Sequence, residues 1–273
     1  LKGLYENINE AKEFVRTRVK TEPGHALILG TGMGGVADSI EQHAVIPYEE
    51  IPHFMASTIA GHAGNLVVGE LGGKPVVAMQ GRIHYYEGYS MKDVTFPLRV
   101  MRAMGARELI MSNAVGGMNP HLDRGDIVVI TDHINLMGDN PLIGWNDERL
   151  GPRFPDMSEP YSREAGRIFE SIAAGQGINV RRAVLAAVAG PNLETAAEYR
   201  LLRRGGADVV GMSMVPESLV AVHSGMKVLG LAIVTDLCLP DHLEPANIDE
   251  IIKTATTSEK KLRVLVTEYL EKT

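Results

Sequence analysis

Three short stretches carry side chains that could do chemistry. The first is "LILGTGMGGV", residues 27–36, where Gly30, Gly32 and Gly35 follow a short apolar run. Glycines at this spacing let a backbone wrap a phosphate, and Thr31 adds a hydroxyl in the same turn. Three readings fit: the pyrophosphate of a dinucleotide, a single phosphate-like anion, or a tight turn without a ligand. A dinucleotide fold needs a helix, a second buried strand and an acid about 20 residues on. Glu49 and Glu50 lie at that distance, but "AVIPYEEIPHF" carries Pro47 and Pro52 and offers no clean apolar strand. The Walker lysine is missing, so ATP hydrolysis is not indicated. A lone anion would need a fixed positive charge brought from elsewhere.

The second stretch, "MQGRIHYYEGYS" (79–90), supplies one. If the chain stays extended after Arg82, then Arg82, His84 and Tyr86 share a face. A guanidinium, an imidazole and a phenol together suit a phosphate and a sugar. The competing reading is a surface arginine–glutamate pair beside ordinary core tyrosines. The third stretch, "GMSMV" (211–215), holds Ser213 without the second glycine of a nucleophile elbow, which disfavours a serine hydrolase. The nine histidines show no HExxH-like spacing, so no catalytic zinc is expected.

These residues need a scaffold, and the chain has the material for one. It has 273 residues, 45% of them hydrophobic, and a formal net charge of -7. With no long basic stretch, that balance disfavours a nucleic-acid or membrane-surface binder. Cys238 is the only cysteine, which excludes an internal disulfide and suits a reducing cytoplasm. No apolar run reaches the ~20 residues of a membrane span. The N-terminal "LKGLYENINEAKEF" reads as an amphipathic helix rather than a signal peptide.

Apolar runs at 25–29, 66–71, 75–79, 108–111, 126–130, 183–188, 208–212 and 228–234 read as buried strands. Helical patterns lie at 91–104, 162–174, 195–205, 216–224 and 248–270. Gly72-Gly73 between two apolar runs reads as a hairpin. The alternation predicts one α/β domain over residues 1–273, a mixed sheet with helices on both faces. The longest irregular stretch, 138–160, contains four prolines and is expected to serve function or to be disordered.

Taken in order, "GTGMGG", "GHAGNLVVGEL", "MQGRIHYYEGYS", "SNAVGGMNP", residues 125–158, "AGPNLETAAEYRLLRRGGADVVGMSMVPE" and "TDLCLPDHLEPAN" resemble the trimeric purine nucleoside phosphorylases. The likeness covers most of residues 25–247. It implies phosphate-dependent cleavage of purine nucleosides, with inorganic phosphate as co-substrate, no cofactor, and a homotrimer. It implies a phosphate site of Thr31, His62, Arg82, His84, the Ala114 backbone N–H and Ser213. It implies ribose contacts from Tyr86 and Met212, and Phe154 reaching into a neighbouring subunit's site. It implies base contacts from Glu194 and Asp236, with Val210, Gly116 and Thr235 lining the pocket. On that reading Glu194, Asp236 and His84 carry the chemistry. Without the resemblance, His62 and His133 would be structural histidines, and Met212 and Met214 core fillers.

Three positions depart from the family pattern. Asp236 stands where an asparagine is usual. An ionised aspartate only accepts hydrogen bonds and repels the O6 of a 6-oxopurine, whereas a protonated one could donate to N7. Ile248 replaces a histidine for the ribose 5′-hydroxyl and would tolerate a 5′-methylthio group. Leu193 replaces an aromatic residue. The leading expectation is 6-oxopurine phosphorolysis; the alternative is a 5′-methylthioadenosine or adenosine phosphorylase. Remoter alternatives are an NAD-dependent oxidoreductase built on the glycine loop and a non-catalytic nucleoside-binding protein.

Overall fold

The computed structural model describes residues 3–30, 34–56 and 63–273. Thr31 and His62 lie outside these described residues. In chain order the elements are α1 (Leu4–Arg18), β1 (His25–Leu29), α2 (Gly35–Asp38), β2 (Glu41–Pro47), β3 (Asn65–Leu71), β4 (Lys74–Gln80), α3 (Met91–Met104), β5 (Glu108–Gly117), β6 (Ile127–Leu136), α4 (Arg163–Gly175), β7 (Val180–Val188), α5 (Ala196–Arg204), β8 (Val209–Gly211), α6 (Val215–His223), β9 (Lys227–Leu237) and α7 (Ile248–Lys272). No helix of the described residues is long and apolar enough to cross a membrane.

The strands form one mixed sheet in the order β2-β3-β4-β1-β5-β8-β7-β6-β9, and β9 also pairs with β5. That last pairing closes β5, β8, β7, β6 and β9 into a ring, leaving β1 to β4 as an open wing. β3 and β4 form the expected hairpin, with Leu71 opposite Lys74 and both Gly72 and Gly73 at positive φ. Two consecutive left-handed residues are what a two-residue turn between twisted strands requires. Two apolar layers sandwich the sheet. One includes Val15, Phe96, Leu98, Met101 and Val220. The other includes Phe169, Leu262, Leu265 and Tyr269 and buries the apolar side of α7.

β2 was not expected as a strand. It is an edge strand with most residues at least partly exposed, antiparallel to β3 and remote from β1. The parallel strand–helix–strand unit of a dinucleotide fold is therefore absent after the glycine loop. α2 is a single turn, and a Cβ on Gly35 would stand 2.8 Å from Glu259 Oε1 of α7. This third glycine lies against the Glu259 carboxylate of α7.

The break that makes the site lies along β5. Its residues 108–111 pair with β1, and Gly116 and Gly117 pair with β8. Between those two pairings the β1/β8 edge of Ser112 to Val115 faces a gap, while the opposite edge stays paired with β9 throughout. Ligand crevices form where strand neighbours diverge in this way. Gly30, just past β1, enters this gap: a Cβ there would be 2.7 Å from Ser112 O and 3.1 Å from Asn113 Cα. Gly30→Ala should therefore force the β1–β5 seam apart at a cost of roughly 1–3 kcal/mol, read as a lower urea midpoint with an unchanged m-value.

Candidate active site

A cavity of about 220 Å³ lies over this stretch of β5. One end is built by the wing. Arg82 follows β4 and is 1% exposed. Its Nη1 stands 3.2 Å from Glu217 Oε1 on α6, and Nη2 donates to Ser112 O at 2.9 Å. Burial lowers the Arg82 pKa, and the Glu217 carboxylate opposes that shift. The surface-pair reading of Arg82 is thus wrong: its carboxylate partner is buried and lies 135 residues away in sequence. Because Ser112 O points to the gap, the Ala114 N–H two residues along the strand points to the same edge.

The chain does not stay extended after Arg82, since Tyr85–Glu87 form a 3-10 turn. Its outcome is still convergent. Glu87 Oε1 accepts from the His84 backbone N–H at 2.7 Å and stands 3.3 Å from Nδ1 of the same residue. The His84 and Tyr86 rings stack with centroids 4.7 Å apart. Arg82, His84 and Tyr86 all line the cavity.

β8 and α6 supply the facing wall. Met212 and Ser213 sit between them, followed by Met214 at φ 75° and ψ -44°. A non-glycine residue there is strained, and such strain persists only where surrounding packing enforces it. The turn places Ser213 in the cavity wall and starts the helix that carries Glu217. Gly190 backs this turn, since a Cβ on it would collide with Met212 Sδ at 2.3 Å.

Ring closure builds the other end. Glu194 follows β7, and Asp236 lies near the end of β9. Asp236 accepts on both oxygens: from the Thr235 hydroxyl at 2.9 Å on Oδ1 and from the Cys238 thiol at 3.2 Å on Oδ2. Thr235 also lies 3.3 Å from Val115 O, an alternative acceptor. Burial, then the Asp236 charge, pushes the Cys238 thiol up to about 12, so it remains a donor. Burial raises the Glu194 pKa, and the Tyr199 hydroxyl pulls it back down. Val210 and Gly116 line this end, with Leu193 and Ile248 at its rim.

The cavity thus gathers Arg82, His84, Tyr86, Ala114, Gly116, Glu194, Val210, Met212, Ser213, Thr235 and Asp236. It does not include Phe154, which stands 87% exposed on the long loop. Sequence reasoning missed Asn113, Tyr199, Cys238 and Ile251, which also line it. Asn113 is the most informative of these: it is 3% exposed, yet both its side-chain polar atoms lack a partner. A buried amide of that kind calls for a ligand or water. Among the described residues no group of three or more His, Cys, Asp or Glu could hold a metal ion.

Removing one member of the buried pair should test how this site is held. Glu217→Gln leaves the Arg82 charge without its carboxylate in a dry setting and should cost roughly 3–5 kcal/mol of stability, measured by urea unfolding.

A family model described as the phosphorylase superfamily matches residues 25–271. The chain is 51% identical over 247 residues to "Purine nucleoside phosphorylase 1" of Geobacillus stearothermophilus, covering 90% of each chain. A solved structure of isoform 2 of purine nucleoside phosphorylase from Schistosoma mansoni, in complex with cytosine and ribose-1-phosphate, superposes with a TM-score of 0.94 at 38% identity, covering 98% of this chain and 96% of that one. A purine nucleoside phosphorylase of that organism in complex with inosine gives 0.93 at 37%, covering 98% and 96%. With the sheet break, the buried Arg82 and the two facing carboxylates all in place, this chain belongs to the phosphorylase superfamily.

Proposed function

We propose that the chain is a purine nucleoside phosphorylase acting on 6-oxopurine (deoxy)ribonucleosides, with inorganic phosphate as co-substrate and no cofactor. The reaction exchanges the bond from the anomeric carbon to the purine for one to a phosphate oxygen, giving free base and (deoxy)ribose 1-phosphate. One observation carries the reading. A single cavity presents a cation, a hydroxyl and a backbone edge at one end, and two carboxylates at the other.

As the bond to the base stretches, positive charge grows on the sugar and negative charge flows into the purine. Phosphate held by Arg82, His84, Ser213 and the Ala114 N–H would stabilise the sugar cation from beneath. Thr31 and His62 are assigned to the same anion by resemblance. Tyr86 and Met212 flank the place left for the sugar. Glu194, as a carboxylate, accepts from the N1–H of hypoxanthine or guanine. Val210, Gly116 and Thr235 wall in the base. Donor interactions that strengthen only in the transition state are typically worth about 2.7–4 kcal/mol each.

The second reading, an adenosine or 5′-methylthioadenosine phosphorylase, is favoured by Asp236 and Ile248. With Thr235 and Cys238 both donating to it, Asp236 faces the base as an acceptor, which suits a 6-amino group. The apolar Ile248 at the rim suits a methylthio group. We further propose that the chain is one domain, that it works in the cytoplasm, and that it forms a homotrimer in which the exposed Phe154 completes a neighbour's sugar site.

A panel of inosine, guanosine, adenosine and 5′-methylthioadenosine, each with and without phosphate, tests the proposal. Base release from inosine should require phosphate; release without it would mean hydrolysis. Glu194→Ala should lower kcat/KM for inosine by roughly 100-fold or more, the loss of one strong charged hydrogen bond. An Asn at 236 can still accept from Cys238 if its amide nitrogen takes the Oδ1 position and Thr235 turns to Val115 O. Asp236→Asn should therefore fold and raise the inosine-to-adenosine ratio of kcat/KM; an unchanged ratio removes Asp236 from base selection.

A further inference from the structure

A second cavity, of about 270 Å³, lies between α1, α3 and the 138–160 loop, apart from the site above. Lys12 and Asn9 reach it from α1, Arg99 and Arg102 from α3, and Arg149 from the loop, and no Asp or Glu is among the described residues lining it. The two outer cations have counterions: Lys12 lies 2.9 Å from Glu13, and Arg149 meets Asp147 and Glu6. The two inner ones do not. Among the described residues neither Arg99 nor Arg102 forms an ion pair. Arg102 Nε donates to Ser224 O at 2.9 Å. Arg99 is only 7% exposed, and its recorded partner is His223 Nδ1 at a long 3.4 Å.

His223 makes a weak anchor. Burial, then the Arg99 charge, holds its pKa down at about 4, so it is a neutral acceptor. Its Nε2 stands 3.2 Å from Asn146 Oδ1, which assigns the proton to that nitrogen. A guanidinium has five donors, and a buried charge without a counterion is costly. Burial alone brings Arg99 down to about 10, which still leaves it charged at neutral pH. With Glu13 against Lys12 and both Glu6 and Asp147 against Arg149, the positive charge left without a counterion in this pocket is that of Arg99 and Arg102.

We propose that this cavity is a second anion site, which takes one phosphate group on Arg99 and Arg102 with Lys12 at its mouth. The guanidinium forks match phosphate oxygens two at a time. The volume falls just under the range of drug-sized ligands, which fits a small phosphate rather than a nucleotide. Orthophosphate and a sugar phosphomonoester offer the same chemistry. The site touches none of the residues assigned to phosphorolysis and does not depend on that assignment. It lies on the Arg99–His223–Asn146 chain that ties α3 and α6 to the loop bearing Phe154.

Equilibrium dialysis at fixed ionic strength, with labelled orthophosphate in one arm and ribose 1-phosphate in the other, tests it. Two sites per protomer are expected in at least one arm, and the arm that shows them identifies the source. Arg99→Met should leave one. Should that variant fail to fold, Arg102→Gln and Lys12→Gln serve instead, each weakening the second site by roughly 10-fold with an unchanged Tm. A single site per protomer that survives Arg99→Met and the Arg102→Gln and Lys12→Gln substitutions, or two sites unaffected by them, overturns the proposal. Phosphorolysis is assayed on the same samples: two sites without phosphorolysis would sink the catalytic reading and leave this one standing.

Discussion

The buried contact between Arg82 and Glu217 is the constraint on which the site depends. Arg82 ends the open wing of the sheet, and Glu217 belongs to the helix behind the ring. Both are almost fully buried, so each would carry a large desolvation penalty alone. The pair therefore fixes the wing against the ring at the point where the cavity opens. Its polarity also matters. The protein as a whole is acidic, and a phosphate would be repelled by its average field. Attraction has to be local, in a dry setting where a single guanidinium acts more strongly than in water. Glu217 keeps that guanidinium in place without itself lining the cavity.

The opposite end solves a different problem: Glu194 and Asp236 share one pocket, and among the described residues neither forms an ion pair. Each has donors assigned to it. Thr235 and Cys238 supply Asp236, and Tyr199 supplies Glu194. A thiol held far above neutral pH cannot become a competing anion, so Cys238 functions as a donor rather than a nucleophile. Its close approach to the backbone also explains Gly116, where a Cβ would be 2.5 Å from Cys238 Sγ. Small residue, thiol and carboxylate form one packed unit, and the orientation of Asp236 in the cavity follows from that unit.

Much of the scaffold was legible in the sequence because buried strands in a two-sided sheet leave continuous apolar runs. The eight expected strands begin within three residues of their predicted starts, and the principal helices stand within two residues of their predicted bounds. The hairpin at Gly72-Gly73 was legible for a local reason, its turn chemistry. β2 escaped because an edge strand exposes most of its side chains and so lacks the apolar run. β5 and β6 run further than expected because their later halves, "SNAVGG" and "TDHINL", are polar. In β5 that polar half is the stretch under the cavity. Glu194, Asp236, Arg82 and Ser213, which line one cavity, were singled out only through resemblance or local pattern. Asn113, Tyr199 and Cys238 were not, since their place in that lining arises from non-local strand pairing. The strain at Met214 leaves no compositional mark either, because methionine gives no hint of a positive φ.

The sheet break explains why polar chemistry and buried strands coexist in one stretch of chain. A strand paired on both edges has no backbone group to offer a ligand. β5 keeps β9 on one edge throughout, so its position is rigid, while the other edge loses β1 before it gains β8. The four residues between are held as firmly as any core strand and yet present backbone groups outward. Arg82 occupies one of these, the Ser112 carbonyl. A donor such as the Ala114 N–H is then fixed by the sheet rather than by a loop, which removes the entropy cost of organising it when a ligand arrives. Gly30 and Gly211 border the same gap from β1 and β8, where any side chain would press against Ser112, Asn113 or Val115. Gly30 and Gly211 therefore keep this edge of β5 open.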